Sequence, residues 1–303
     1  MKVSVYIPCF NGARHIAQCI ASLLAQSHAP DEIVVVDDGS ADDSAKIADT
    51  YPVKLVRHDC NMGLATARNT GISATSGDIV ASIDADCFAS RDWLERLART
   101  LERNPHVVGV AGCPVEGNRR RLADRWRMHH MPQNHGTKLV VNPPFLHGAN
   151  TALRRTAPEA VNGYNTAFRT NGEDFDLCFR MRKILPDRHL IYDPRPKVTH
   201  MREDTVASVI RARFRYLFYS QAIYTPYDSL PRLRSRLAQI ARINWRSIVW
   251  DLRKGSAALA MVSVGCLVYS AVMQVGEYAR CRRARAPKPS APASGESAGE
   301  SAA

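Results

Sequence analysis

None of the eight cysteines (Cys9, Cys19, Cys60, Cys87, Cys113, Cys178, Cys266, Cys281) is paired as Cys-x-x-Cys, and most lie in apolar runs. That spacing excludes a zinc ribbon and a disulfide framework and reads as reduced, buried thiols of a cytosolic protein. The first residues, Met1-Lys2 and a short apolar run broken by Pro8, lack the apolar stretch and cleavage site of a secretory signal and read as a first strand. Neither a Gly-x-Gly-x-x-Gly turn nor a phosphate-loop lysine accompanies the early strands, which excludes the dinucleotide fingerprint. Acidic residues are scarce only late in the chain: residues 1–200 carry 25 Lys+Arg against 22 Asp+Glu, whereas residues 201–303 carry 16 against 7. A balanced soluble domain is therefore followed by a basic third whose field favours an anionic partner, either nucleic acid or the anionic surface of a membrane. With 303 residues, 45% of them apolar, the chain is neither disordered nor collagenous, and suffices for one large α/β domain or two smaller ones.

Short β-rich runs at 3–8, 33–36, 53–57 and 79–83 alternate with helical periodicities, the first carried by Ile16, Cys19, Ile20, Leu23 and Leu24 and the others over 42–51, 64–74 and 91–103. The run Ile33-Val34-Val35-Val36 is continuously apolar, as expected of a strand covered on both faces. Such alternation predicts a mostly parallel, Rossmann-like sheet flanked by helices, with ligands at the carboxyl ends of its strands. Two acidic clusters leave that edge, Asp37-Asp38-Gly39-Ser40 after the second strand and Asp84-Ala85-Asp86 after the fourth. Either cluster alone is explained by turns and helix caps. Both on one edge point to a cation and a nucleotide, because unscreened carboxylates repel one another.

Tyr6-Ile7-Pro8-Cys9-Phe10-Asn11, Val36 to Asp42, Asn61 to Asn69, Gly77-Asp78, Asp84-Ala85-Asp86, Gly148-Ala149-Asn150 and Gly172 to Leu177 follow one another in an order that resembles the motif set of family 2 glycosyltransferases. The resemblance spans residues 3–200. It implies a GT-A fold and inverting sugar transfer from a nucleotide diphosphate donor, helped by Mg²⁺ or Mn²⁺. Carried over position by position, it implies a nucleobase contact from Asp38, close to Pro8 and Asn11; a ribose contact from Asp84; and a metal ligand in Asp86. Arg68 is placed either for phosphate or for an ion pair, and Asn150 and Glu173 fall among the nucleotide-sugar positions. Asp174 matches the base that takes the proton of the acceptor hydroxyl, while acidic residues in that turn also suit the start of a helix over 175–184. Arg180 is expected to be an ion-pair partner on that helix, and His147 either a pocket or a core residue. His200, at the end of Pro194–His200, is either a second metal ligand or a solvated strand end.

The chain departs from the family at Asn162-Gly163-Tyr164-Asn165-Thr166, where relatives commonly carry Gly-Gly-Phe-Asp-Glu, so acceptor contacts do not transfer. The Gln-x-x-Arg-Trp of processive synthases does not follow Asp174, which favours a single or limited addition. The basic glycine-rich loop of sugar nucleotidyltransferases is absent near the start. A catalytically silent nucleotide-sugar-binding protein is the alternative, disfavoured by Asp86 and Asp174 occurring together.

From Ser256 to Val275 run twenty residues without Asp, Glu, Lys or Arg. At 1.5 Å per residue they match one hydrocarbon thickness of about 30 Å, although Ser263, Gly265, Ser270 and Gln274 also suit a buried or re-entrant helix. Upstream, 206–219 and 233–252 mix arginine with aromatic residues, as interfacial helices do, or as a solvated face packed on the first domain does. The expected organisation is a catalytic domain at 1–204, basic amphipathic helices at 205–254, a membrane-spanning or membrane-inserted helix at 255–279, and a basic then disordered tail at 280–303. The expected partners are a nucleotide-diphosphate sugar, a lipid-linked or glycan acceptor and a membrane surface, with no nucleic acid; the location is the cytoplasmic face of the membrane.

Overall fold

The computed structural model describes residues 1–219 and 229–285, so the tail at 286–303 lies outside the described residues. Its strands are β1 (Val3–Cys9), β2 (Glu32–Asp37), β3 (Lys54–Arg57), β4 (Ile79–Ile83), β5 (Cys87–Ala89), β6 (Val107–Glu116), β7 (Val140–Val141), β8 (Asn150–Arg154) and β9 (His189–His200). The helices are α1 (Ile16–Leu24), α2 (Ser44–Asp49), α3 (Leu64–Ala74), α4 (Trp93–Arg103), α5 (Leu122–His130), α6 (Thr156–Glu159), α7 (Glu173–Ile184) and α8 (Val206–Phe214), then a single π-helical turn (Arg215–Tyr219), α9 (Leu230–Arg253) and α10 (Ala257–Arg285).

All nine strands join one sheet, with β3-β2-β1-β4-β8-β6-β9-β5 as its path and β7 on β9. The first four are parallel, as the alternation predicts. Beyond β4 the sheet becomes mixed: β8 enters antiparallel to both β4 and β6, β9 runs parallel to β6, and β5 and β7 pair antiparallel with β9. The expected parallel pairing thus runs unbroken through β3-β2-β1-β4 and recurs between β6 and β9, with antiparallel pairs around the latter. Only three residues separate β4 from β5, too few for the crossover that would lay β5 parallel beside β4, and β5 pairs instead with β9 at the far edge.

Strand periodicity divides the core. Val3, Val5 and Ile7 of β1 face a layer made by α1 and by Trp93, Leu94, Leu97 and Leu101 of α4, whereas Tyr6 faces α3 and α7 together with Val34, Val36, Leu177 and Met181. The four apolar residues of α4 are fully buried; each contributes about 2 kcal/mol of transfer free energy. These two layers hold β1, β2 and β4 rigidly, so their carboxyl ends are fixed points for the site.

A third cluster joins Ala123 and Trp126 of α5 to Val209 of α8 and to Leu259, Val262 and Cys266 of α10. The Trp126 indole donates to the Ser263 hydroxyl (2.7 Å), which donates in turn to Asp251 (2.7 Å), whose other oxygen meets His130 (2.8 Å). The C-terminal helices are therefore packed on α5 within the first 204 residues. Helix α10 is inverted relative to a soluble helix: Ser263, Ser270 and Gln274 are fully buried, while Met261, Val264, Val268, Val272 and Val275 form an exposed apolar stripe.

Candidate active site

Five of the residues singled out from the sequence line one cavity of about 540 Å³: Arg68, Asp84, His147, Glu173 and Asp174. Asp84 stands just past the end of β4, and Glu173 and Asp174 open α7 behind Gly172, whose φ of 93° lies in the left-handed region. Acidic side chains suit this first helical turn because its free N–H groups attract negative charge; Asp174 accepts from the Phe175 N–H at 2.7 Å. The neighbouring walls come from α5 and the segment after it (Arg127, His130, Gln133), the loop His147-Gly148-Ala149, and Arg213, Tyr216 and Leu217.

Arg68 settles the choice that its sequence position left open as far as contacts go. It leaves α3 inward and is buried, with Nη1 donating to Ser82 Oγ (2.7 Å) and the Gly148 carbonyl (3.0 Å), Nη2 to Asp84 (2.9 Å), and Nε facing Glu173 at 3.4 Å. One guanidinium thus bridges the acidic groups of β4 and α7. Gly148 is required by closeness, since a Cβ there would lie 2.7 Å from Arg68 Cζ.

Burial, then the adjacent Asp174, pushes the Glu173 carboxyl up to about 7 against the pull of Arg68. Burial also raises Asp174, with Arg68 opposing it. A carboxylate with a raised pKa at the cavity wall is a more effective proton acceptor near neutrality. His147 stacks on His135 (5.3 Å) and meets Phe145 edge-on (4.6 Å); burial lowers it to about 3, so its imidazole is neutral.

Asp86 and His200 come together from distant parts of the chain. The pairing of β5 with β9 brings the His200 Nε2 to 3.2 Å from Asp86, with Glu116 of β6 at 3.6 Å from Nδ1. Burial opposes both charges, but the mutual attraction prevails: His200 holds Asp86 down at about 2, while Asp86 and Glu116 raise His200 to about 9. Ligand atoms of Asp86, Cys87 and His200 lie within 4.8 Å of one another. Being a hard cation, Mg²⁺ or Mn²⁺ suits the carboxylate and the imidazole better than the buried thiol.

The other predicted positions lie elsewhere. Pro8 is buried in β1 beside Val36. Asn11, with φ of 52°, ties the loop after β1 to that after β2 through the Ala41 N–H and the Ser40 hydroxyl. Asp38 is buried and its carboxylate accepts from the N–H groups of Met62 and Gly63 (2.9 Å each) and meets His58 Nδ1 at 2.7 Å. It organises the turn into α3, where Gly63 has a φ of 97°. Asn150 is entirely buried; its amide accepts from the Trp93 indole (2.7 Å) and donates to the Pro196 carbonyl. The structure therefore corrects its expected donor contact to a strut between α4 and β9. Arg180 pairs with Asp176 (2.6 Å), as expected. His58, Glu116 and Arg127 escaped sequence reasoning because their partners are remote in the chain; Arg213 stood out in the arginine-aromatic stretch 206–219, but as an interfacial residue and not as one lining the cavity.

The family model for glycosyl transferase family 2 matches residues 4–161, and the chain belongs to that family. It is a glycosyltransferase of GT-A fold. Among curated proteins it is similar to the glucosyl-dolichyl phosphate glucuronosyltransferase of Haloferax volcanii, 29% identical over 66% of this chain and 69% of that protein. It is also similar to the uncharacterized glycosyltransferase EpsJ of Bacillus subtilis, 34% identical over 46% of this chain and 40% of that one; the chain spans less than half the length of several such relatives. Solved structures with the same fold include Staphylococcus aureus TarS 1–349 in complex with UDP-GlcNAc (TM-score 0.56, 14% identity, 91% and 93% of the two chains). Another is the mannosyltransferase PcManGT of Pyrobaculum calidifontis in complex with GDP-Man and Mn²⁺ (TM-score 0.57, 22% identity, 95% and 81% covered).

Proposed function

We propose that the protein transfers a sugar, with inversion and in a metal-dependent manner, from a nucleotide-diphosphate sugar to an acceptor hydroxyl at a membrane surface. One observation carries this reading: Arg68 bridges Asp84 and Glu173 in the cavity that also holds Asp174, while Asp86 and His200 meet beside them. Asp174 takes the hydroxyl proton, and its raised pKa supports that role. Arg68 holds Glu173 and Asp84 so that neither carboxylate repels the incoming anionic donor in full. Asp86 and His200 would hold the Mg²⁺ or Mn²⁺, which supplies charge neutralisation for the leaving diphosphate. Pro8, Asn11 and Asp38 lie on the strand edge on the nucleobase side; with the Asp38 carboxylate occupied, their contribution is to shape that pocket.

A lipid-linked acceptor and a site at the membrane surface are supported by the exposed apolar stripe of α10, by Trp245 and Trp250 of α9, which are exposed beside arginines 242, 246 and 253, and by the dolichyl phosphate relative, whereas the cytoplasmic face rests on the need for a nucleotide-sugar donor. Residues 257–283 form a helix long and apolar enough to cross a bilayer, and the buried Ser270 and Gln274 favour its lying against α9 within the membrane or at its surface. The reading is tested by the thermal shift of the full-length protein in detergent with a panel of nucleotide sugars, with and without Mn²⁺. One donor should raise Tm only when Mn²⁺ is present, and Asp86→Ala should abolish that shift without unfolding the protein. If no nucleotide sugar raises Tm under either condition, the donor assignment is wrong.

A further inference from the structure

Three arginines line the cavity, and two are neutralised. Arg68 meets Asp84 and Glu173, and Arg127 meets Glu116 (3.3 Å) and Asp204 (3.4 Å). Arg213 of α8 differs. It is 7% exposed, yet no carboxylate pairs with it among the described residues. Its contacts are the His130 carbonyl, which accepts from Nη1 at 2.5 Å, and the face of the Trp126 ring, 5.5 Å from Cζ. Its Nε, like those of Arg68 and Arg127, is buried without a hydrogen-bond partner, but among the described residues no carboxylate lies against it as Glu173 and Asp204 lie against theirs.

A carbonyl dipole and a π face offer partial negative charge, not a counter-ion, and a buried guanidinium without one is unstable. The acidic residue of the adjoining network, Asp251, is already occupied by His130 and Ser263. Burial lowers His130 despite Asp251, so that ring contributes no positive competitor. Arg213 is thus a desolvated cation facing an open cavity whose opposite chemistry is the base Asp174.

We infer that Arg213 is an anion site in the cavity wall and takes a phosphate group of a substrate, its planar fork supplying the paired donors that a phosphate oxyanion accepts. This rests on the glycosyl-transfer reading above and adds to it a subsite. Its place favours the phosphate of a lipid-linked acceptor over that of the donor: Val209, one turn earlier on α8, packs on Leu259 and Val262 of α10, whose far face is the exposed apolar stripe. A headgroup seated on Arg213 would leave its hydrocarbon tail beside that stripe.

The test uses full-length protein in detergent with EDTA, so that metal-dependent donor binding does not contribute. Wild type, Arg213→Met and Arg213→Lys are compared in phosphate-free buffer with inorganic pyrophosphate and with farnesyl phosphate as probes. Both probes should raise the Tm of wild type, and binding by calorimetry should weaken at least tenfold in Arg213→Met and less in Arg213→Lys. Because an uncompensated charge is removed, Arg213→Met should melt at or above wild type without the probes. In a separate arm with Mn²⁺ in place of EDTA, farnesyl phosphate that still binds when the enzyme is saturated with UDP or GDP identifies the acceptor as the source; displacement by that nucleotide identifies the donor. Equal affinity in wild type and Arg213→Met, no phosphate binding to wild type, or an Arg213→Met variant that melts well below wild type or does not fold would each overturn the site. Failure of the nucleotide-sugar panel leaves these measurements untouched, so the two readings fail separately.

Discussion

Replacing Arg68 with methionine removes the one cation between Asp84 and Glu173. Glu173 is buried, with its side chain 4% exposed, whereas the Asp84 side chain is 29% exposed and is rehydrated when its partner goes. The cost therefore falls mainly on Glu173. Breaking a buried pair from one side typically costs about 3–5 kcal/mol, because the remaining charge is uncompensated. Protonation limits that loss: the Glu173 carboxyl, already pushed up to about 7 by burial and by Asp174, rises further without Arg68. A carboxyl whose folded pKa is raised binds its proton more tightly folded than unfolded, so its stabilising contribution is complete below the unfolded value of ~4.5 and is lost as pH rises through the folded value. Urea denaturation in detergent should thus find the loss in Arg68→Met about 1.4 kcal/mol larger at pH 8 than at pH 5, the one pKa unit by which pH 8 exceeds the wild-type folded value of about 7. Adding Glu173→Gln should remove that pH dependence, a coupling expected of residues in direct contact. A loss independent of pH, or additive effects in the double variant, would refute the bridge as the source of stability.

Asp174→Asn should leave donor affinity nearly unchanged and lower kcat by about 10²-fold or more, since an amide cannot accept the hydroxyl proton; a near-normal kcat would assign the base elsewhere. Because burial raises Asp174, the acid limb of kcat should lie above the ordinary aspartate range of ~3.9, with activity falling as pH drops through that limb; a limb at or below that ordinary range contradicts it. Gly148→Ala places a Cβ against the Arg68 guanidinium and should cost about 1–3 kcal/mol and displace Arg68, lowering kcat and Tm together. Met261→Glu with Val268→Glu alters two exposed positions of α10, 69% and 57% accessible, and should leave Tm within about 2 °C while converting membrane attachment from detergent-requiring to salt-releasable, read by sedimentation with anionic vesicles.

The sequence alone determined the elements whose physics is local. The periodicities of 3–8, 33–36, 64–74 and 79–83 coincide with β1, β2, α3 and β4 to within a residue or so, because strands covered on both faces need continuous apolar runs and helices need a stripe. The same locality located Asp84, Asp86, Glu173 and Asp174 at strand and helix ends, and the apolar run that becomes α10. Tertiary structure decided what depends on which remote groups meet. Register across β5 and β9 placed His200 on Asp86; the inward course of Arg68 made it a bridge; and the Trp93 indole and the 58–63 turn consumed the polar atoms of Asn150 and Asp38. The absence of a carboxylate partner for Arg213 among the described residues is the clearest such case. A charge is recognised as uncompensated only when all its neighbours are known, and those neighbours come from α5, α8 and α10, whose packing no local pattern encodes.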